Sequence, residues 1–215
     1  MARAMFRGYN RVKFPSLKLG KTVFCQSLFL RDYLLHLEWD ESVLSYELKP
    51  FKISYKAGGQ RRTINPHVLL NSSNSQPIVV WLKSSIKDQE DHIQVVKLLT
   101  NFCETKGFSF LVKFPEDIRK EPLFSNLKLL RRYSRCEINF DQTLLCREFF
   151  ESFSNPLFGD LIQFLNVKNE APETAYALLS QKIIEADINS NFVNHDSSIK
   201  LKTQFPNFQR GRIAA

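Results

Sequence analysis

Residues 43–83, VLSYELKPFKISYKAGGQRRTINPHVLLNSSNSQPIVVWLK, contain the clearest pattern of strands and turns in the chain. Short runs rich in β-branched and aromatic residues alternate here with turn-forming residues, a composition typical of strands. Gly58 and Gly59 predict a hairpin turn, because glycine reaches the positive φ angles that tight turns need. The predicted strands are 43–47, 51–55, 68–70 and 77–83, and the last is apolar enough to be buried on both faces.

Helices are predicted on both sides of this stretch. Apolar residues recur near helical spacing over 24–39 and 88–106, and the second run ends before Gly107. The apolar run at 108–114 then predicts another strand. This order predicts an α/β fold in which a mixed sheet is flanked by helices.

The rest of the chain is predicted to be mainly helical. A helix at 122–135 carries several basic residues, and the polar run 187–202 would hold a hairpin. Three short helices followed by a hairpin are the order of a small winged-helix domain. The predicted short helices are 144–153, 161–164 and 174–186.

Charge is distributed unevenly along the 215 residues, whose formal net charge is +8. Residues 1–136 hold 23 Lys/Arg against 12 Asp/Glu, whereas residues 137–196 hold three against ten. Counterion release would draw double-stranded DNA to the first part, and the acidic second part would repel it. The shift predicts a domain boundary near 136–140 and two domains of opposite charge.

The composition excludes several classes of protein. A hydrophobic fraction of 43% and a charged fraction of 24% are ordinary for a globular chain and exclude disorder throughout. No window of about 18 uncharged apolar residues exists, so no membrane contact is expected, and the basic N-terminus lacks the apolar run of a secretion signal. The cysteines form no CxxC pair and predict reduced intracellular thiols: Cys25, Cys103, Cys136 and Cys146.

A series of motifs occurs in order along the chain. CQSLFLRDYL (25–34) is similar to a family helix written ESLLERDYL, and LEWDESVLSYE (37–47) is similar to LEFDPDVLSYEEQPF. QRRTINPHVLL (60–70), VWLK (80–83), EDIR with PLFSNLKLL (116–130) and ADIN (186–189) are similar to RRYTPDFLV, VEVK, EIR…PLLxNLKLL and ADLD. On these motifs, about residues 13–202 resemble the TnsA-type endonuclease subunits of heteromeric transposases.

The resemblance implies a fold, an activity and partners. It implies a restriction-endonuclease-like N-terminal domain and a winged-helix C-terminal domain, in a bacterial, nucleoid-associated protein of the cytoplasm. The family's subunit nicks the 5′ ends of the transposon, while a transposase subunit cuts the 3′ ends. Its C-terminal domain contacts an ATPase regulator. The expected segments are a basic arm (1–23), a nuclease-fold domain (24–136), a winged-helix-like domain (137–202) and a basic tail (203–215).

The family's catalytic pattern is degenerate in this sequence. By the resemblance, the metal-binding acids fall at Leu30, His67 and Trp81, an earlier family Glu falls at Gln26, and only Lys83 is retained. Leucine and tryptophan cannot bind Mg²⁺, and imidazole is a poor ligand for it. We therefore expect a pseudonuclease with no metal and no cofactor. His67 as a metal-free general base is a less favoured alternative, and Lys83 either contacts phosphate or is merely solvated.

The candidate DNA contacts are basic residues, which would position a duplex rather than read its sequence. They are Arg3, Arg7, Arg11, Lys13, Lys18, Lys21, Arg61, Arg62, Lys128, Arg131, Arg132 and Arg135. Two other functions stay open. One is an active Mg²⁺-dependent endonuclease with relocated ligands, and the other is an adaptor between DNA and proteins outside transposition. The acids available for relocation are Asp32, Glu38, Asp40, Glu41 and Glu47.

Overall fold

The computed structural model describes residues 12–73, 75–83 and 89–202. They form two compact units, which are divided between Arg119 and Lys120. This corrects the predicted boundary near 136–140. The physical reason is that a helix at Leu123–Tyr133 packs against a helix at Glu173–Ser180 and so belongs to the C-terminal unit.

The new boundary changes the distribution of charge. Residues 1–119 contain 18 Lys/Arg and 11 Asp/Glu, whereas residues 120–215 contain 12 and 11. The N-terminal unit is therefore basic and the C-terminal unit is nearly neutral. The expectation of two domains of opposite charge does not hold, because the acidic stretch 137–196 shares its unit with a basic helix.

The N-terminal unit contains eight strands and three helices among the described residues. In chain order they are β1 (Val12–Ser16), β2 (Lys21–Cys25), α1 (Leu28–Trp39), β3 (Val43–Leu48), β4 (Ile53–Ala57), β5 (Gln60–Ile64), β6 (Val68–Ser72), β7 (Ser75–Leu82), α2 (Gln89–Lys106), β8 (Ser109–Lys113) and α3 (Pro115–Ile118). The C-terminal unit contains α4 (Leu123–Tyr133), α5 (Phe140–Ser152), α6 (Phe158–Val167), α7 (Glu173–Ser180), β9 (Ile184–Ala186) and β10 (Ile199–Leu201).

The central sheet of the N-terminal unit has the strand order β3-β6-β7-β8. The first three strands are antiparallel, and β8 is parallel to β7 because α2 intervenes between them in the chain. In β7, Val79, Val80 and Leu82 are buried, as the apolar run predicted. The predicted α/β fold with a mixed sheet and helices is confirmed.

Short-range signals explain several element boundaries. The Ser27 hydroxyl accepts a hydrogen bond from the Leu30 amide at 3.1 Å and caps α1, which begins later than predicted. Gly58 and Gly59, with φ of 57° and 74°, form the two-residue turn between β4 and β5. Gly107 has a φ of 70° directly after α2, a conformation that favours glycine at a helix end.

The predicted basic arm at 1–23 contains regular structure from residue 12 onward. β1 and β2 form an antiparallel pair that contacts α1. The Glu38 carboxylate of α1 accepts hydrogen bonds from the Ser16 hydroxyl at 2.6 Å and the Leu17 amide at 2.8 Å. This polar contact with a helix residue more than twenty positions away holds the turn of the hairpin in place. The arm is thus a folded hairpin over the part that the structure describes.

The C-terminal unit contains α4, then the three helices that were predicted, and then a strand pair of which only β10 lies within the predicted hairpin range 187–202. The predicted helix at 174–186 is too long, because α7 ends at Ser180 and Ile184–Ala186 is β9, which pairs with β10. Asn139 caps α5 and exchanges hydrogen bonds with Gln142 in a capping box. The core is built from fully buried apolar side chains, including Phe149, Phe158, Leu161, Leu165 and Leu178. Among the described residues, no helix is both long and apolar enough to cross a membrane.

Candidate functional site

The residues at the family's catalytic positions lie in the N-terminal unit. Leu30 is buried in the first turn of α1, and His67 directly precedes β6. Trp81 is near the end of β7 and packs against the apolar cluster of Ile53, Val95 and Leu99. The Lys83 ammonium lies 5.7 Å from the centre of the Trp81 ring. Lys83 directly follows β7, and residues two apart on an extended chain point to the same side, in agreement with its position near the Trp81 ring.

A backbone hydrogen bond selects one neutral tautomer of the His67 ring. Its Nδ1 accepts a hydrogen bond from the Leu82 amide at 3.1 Å, so the neutral ring carries its hydrogen on Nε2. Burial, with a smaller contribution from the Lys49 ammonium, lowers the pKa of His67 to about 4. Its only lone pair is therefore already used near neutral pH. This arrangement argues against both a general base and a metal ligand at His67.

These residues do not fit a magnesium ion. Leu30 and Trp81 have no oxygen ligand, and His67 presents a hydrogen on Nε2 rather than a lone pair. Within residues 12–73, 75–83 and 89–202, no group of three or more His, Cys, Asp and Glu side chains is arranged to hold a metal ion. The residues at these positions therefore provide no ligand set for a metal ion.

Asp32 is engaged inside the N-terminal unit. Its side chain is buried, with Oδ1 at 2.7 Å from the Arg31 guanidinium and Oδ2 at 2.9 Å from the Arg119 guanidinium. Both arginines are about half exposed, so the carboxylate is buried while its partners remain hydrated on one side. This contact joins α1 to the residue that follows α3.

Two further candidate acids also bind protein groups. Glu38 accepts the Tyr46 hydroxyl at 2.8 Å in addition to its contacts with the β1–β2 turn. Asp40 accepts the Ser42 amide at 2.9 Å and the Ser42 hydroxyl at 2.7 Å. Glu47, in contrast, is exposed at the wall of a cleft.

This cleft has a volume of about 640 Å³ and lies between β2 and β3. Its wall includes Gln26 and Leu30, two of the positions that the resemblance singled out, which present an amide and an apolar side chain. Lys49 also lines the cleft. Its φ of 52° is in the left-handed region, and its amide donates to the His67 carbonyl at 3.0 Å. The further polar side chains of the wall are Lys21, Ser45, Tyr46, Glu47 and Asn71.

The predicted DNA contacts are divided between the two units. In the N-terminal unit, Lys13 and Lys21 are exposed on the β1–β2 hairpin, and Arg61 and Arg62 are exposed on β5. The second basic group lies on or just after α4, in the C-terminal unit: Lys128, Arg131, Arg132 and Arg135. Arg3, Arg7 and Arg11 lie outside the described residues.

Lys18, predicted to contact DNA, instead makes hydrogen bonds within the protein. Its ammonium donates to the carbonyls of Asp40 and Val43, and burial lowers its pKa although nearby acids oppose this effect. Lys18 therefore connects the hairpin turn to the end of α1 and is not a free cation for DNA. Sequence reasoning missed Lys49, Lys52 and Lys56 as candidate contacts. Lys52 and Lys56 could have been found, because an even spacing along an extended chain puts them on one side.

Compared with known proteins, the sequence matches no protein-family model, and no curated protein matches it either.

Proposed function

We propose that this chain is a TnsA-like transposition protein that has lost 5′-strand cleavage. It binds double-stranded DNA at transposon ends through its basic N-terminal unit, in the cytoplasm of a bacterium. Its C-terminal unit contacts the transposase subunit and the ATPase regulator of the same system. The chain acts as a scaffold in the transposition complex, and the partner transposase still cuts and joins the 3′ ends.

The order of elements supports the restriction-endonuclease-like fold that the motifs imply. Without the β1–β2 and β4–β5 pairs, the N-terminal unit runs helix, three strands, helix, strand. In this order the family positions fall where the fold class carries its ligands: on the first helix, at the start of one strand and at the end of the next. Three helices and a strand pair in the C-terminal unit similarly support a winged-helix-like domain.

The main support for a loss of cleavage is the hydrogen bonding of His67. His67 stands where the family has a strand aspartate, and its Nδ1 is hydrogen-bonded to the Leu82 amide. A carboxylate can accept a backbone hydrogen bond and still bind a metal, because it has two oxygens with several lone pairs. A neutral imidazole that accepts at Nδ1 has none left. Losing 5′ cleavage while 3′ joining continues favours a replicative, cointegrate type of transposition.

The engagement of the other acids weighs against an active site with relocated ligands. Asp32 would have to release two guanidinium groups, and Glu38 would have to release two hydroxyls and the hairpin turn. Glu47 is the exposed acid at the cleft wall. It is therefore the residue to test if any metal-dependent activity is found.

The decisive experiment is a strand-specific cleavage assay. The chain is incubated with its partner transposase and with transposon-end duplex labelled on either strand, in Mg²⁺ or Mn²⁺. We expect 3′ cleavage by the partner and no 5′ nick. The proposal is overturned if a 5′ nick appears and is abolished by Lys83→Ala or Glu47→Gln. Neighbouring genes give a second check, since the absence of a transposase and an ATPase beside the gene favours an adaptor outside transposition.

A further inference from the structure

β4 and β5 form a separate two-stranded ribbon in the N-terminal unit. They pair antiparallel with each other and are not part of the central sheet. The register places Ser54 opposite Thr63 and Lys56 opposite Arg61. Directly opposed residues point to the same side of an antiparallel pair, so these four side chains share one face.

The two faces of the ribbon differ in character. The inner face carries Ile53, Tyr55 and Ile64, which pack in the apolar cluster with Val95 and Leu99 of α2. The opposite face is fully polar and exposed, and it is extended at its base by Lys52 and Asn65. We call this surface the outer face of the ribbon: Lys52, Ser54, Lys56, Arg61, Thr63 and Asn65.

The tip of the ribbon is narrow. The two-residue turn is Gly58 and Gly59, and a Cβ atom placed on either glycine would have no neighbour within 4 Å. In the part of the chain that the structure describes, no group at the tip makes the ribbon wider than its two strands. The major groove of B-DNA, about 12 Å wide, admits a two-stranded ribbon of this kind, whereas the minor groove, about 6 Å wide, does not.

The chemistry of the outer face selects nucleic acid over a protein partner. Residues 50–65 contain four basic residues and no acid. The outer face has no aromatic or aliphatic side chain, whereas protein interfaces depend on buried apolar and aromatic groups at their centre. Cations and short hydroxyl or amide side chains are instead the groups that contact phosphates and base edges.

We infer that the outer face of the β4–β5 ribbon lies in the major groove of duplex DNA. Thr63, near the middle of the ribbon, and Arg61, nearer its tip, face the base edges. Lys56, directly opposite Arg61, and Lys52, at the base of the ribbon, contact phosphates at the sides of the groove. This inference rests on the proposed DNA-binding function and names the element that performs it. Of the two predicted DNA contacts on β5, Arg61 belongs to the outer face, whereas Arg62 lies on the opposite face of the strand.

The first test compares two double variants of the full chain that remove the same charge. Lys56→Ala/Arg61→Ala changes the outer face, and Lys97→Ala/Lys106→Ala removes two exposed cations of α2. Affinity for a mixed-sequence duplex is measured by fluorescence anisotropy over a range of salt concentrations. The ribbon variant is expected to bind about tenfold more weakly and to lower the slope of log K against log salt by about 1, because of its two residues only Lys56 contacts a phosphate. The α2 variant is expected to change neither appreciably.

The second test identifies the groove by dimethyl sulfate footprinting, which methylates guanine N7 in the major groove and adenine N3 in the minor groove. On a transposon-end duplex, the wild-type chain is expected to protect N7 positions. Arg61→Ala is expected to lose part of this protection, and Arg62→Ala to keep it. Circular dichroism of each variant confirms that it is folded.

The outcomes separate the two proposals. If the wild-type chain binds no DNA, both the proposed function and the ribbon inference fail. If it binds but the ribbon and α2 variants lose affinity equally, or if protection falls on adenine N3, only the ribbon inference is overturned.

Discussion

Each unit contains a buried polar side chain with several bonds, including bonds to distant segments, and these two side chains, Asp32 and Asn126, differ in charge. In the N-terminal unit, the Asp32 carboxylate binds Arg31 and Arg119. In the C-terminal unit, the Asn126 amide of α4 donates to the carbonyls of Ile188 and Asn191 at 2.8 and 2.7 Å. Its oxygen accepts the Val193 amide at 3.0 Å, so all three bonds are to backbone.

The stability of the two units should therefore respond differently to salt and pH. A buried carboxylate requires cationic partners, and these partners stay partly hydrated and sensitive to salt. A buried amide satisfies its donors and acceptor without charge, so its contribution depends little on salt or pH. The N-terminal unit also encloses His36 and His67, both with lowered pKa values owing mainly to burial. Salt and pH should therefore act mainly on the N-terminal unit.

The strongest test of this comparison is Asn126→Ala. We expect it to lower the free energy of unfolding of the C-terminal unit by about 3 kcal/mol, because three buried hydrogen bonds are lost and their backbone partners are left unsatisfied. Both tryptophans, Trp39 and Trp81, lie in the N-terminal unit, so their fluorescence reports that unit alone. Urea unfolding followed by circular dichroism should shift, while the fluorescence transition should not.

A matched control is Asn166→Ala, at an exposed position of α6, which should change neither transition. If Asn126→Ala shifts the tryptophan fluorescence as much as the circular dichroism, the two units unfold as one. The two units would then have no separate free energies of unfolding to compare.

The pH dependence of the N-terminal unit gives the second test. The folded pKa of His67, about 4, is below the ordinary value of 6.5, so the unfolded chain binds the proton more readily. Stability from this group is fully present above about pH 6.5 and is lost as the pH falls toward 4. The loss should be on the order of 2 kcal/mol. Urea unfolding by tryptophan fluorescence at several pH values measures it.

His67→Asn keeps a side-chain oxygen for the Leu82 amide and removes the titration. Between neutral and mildly acidic pH, the free energy of unfolding should fall more for the wild type than for this variant. Both proteins contain His36, so its contribution to the pH dependence cancels in the comparison. Equal losses would mean that the His67 ring is not held neutral by burial.

The charged contact is tested by Asp32→Asn. We expect the N-terminal unit to lose about 1–2 kcal/mol, since Arg31 and Arg119 are half exposed and regain hydration when the charge is removed. The loss should shrink in high salt, because salt screens the pairs in the wild type. The loss caused by Asn126→Ala should be the same in low and high salt. A salt-independent effect of Asp32→Asn would contradict the distinction between the two contacts.

The smallest expected effect is that of Gly159→Ala at the start of α6. Its new Cβ would lie 3.1 Å from both Cβ and the carbonyl oxygen of His195. The Gly159 amide already donates to that carbonyl at 2.8 Å, so the backbone has little room to move. We expect a loss of about 1 kcal/mol by circular dichroism. Alanine also reduces the conformational entropy of the unfolded chain, which by itself stabilises the folded state. A net stabilisation would therefore contradict the prediction and show that the loop around His195 moves to make room for the methyl group.

The parts of the fold that depend on local chemistry were predicted well. The glycine pair at 58 and 59 gave the β4–β5 hairpin, and the apolar run at 77–83 gave the buried strand β7. The β1–β2 hairpin was missed, because Lys13, Lys18 and Lys21 interrupt its apolar residues and because it is held by Glu38 from α1 rather than by a pattern of its own. The domain boundary was misplaced for a similar reason: composition changes after α4, but the packing of α4 on α7 decides its unit.

Residue types and short-range periodicity were enough to predict most of the helices and strands, and they show that no carboxylate stands at positions 30, 67 and 81. The hydrogen on His67 Nε2, the bonds of Asp32 to Arg31 and Arg119, and the opposite faces of Arg61 and Arg62 are known only from the folded structure. These features depend on partners distant in the chain or on the register of paired strands. No local pattern encodes which backbone amide or guanidinium will meet a side chain once the chain has folded.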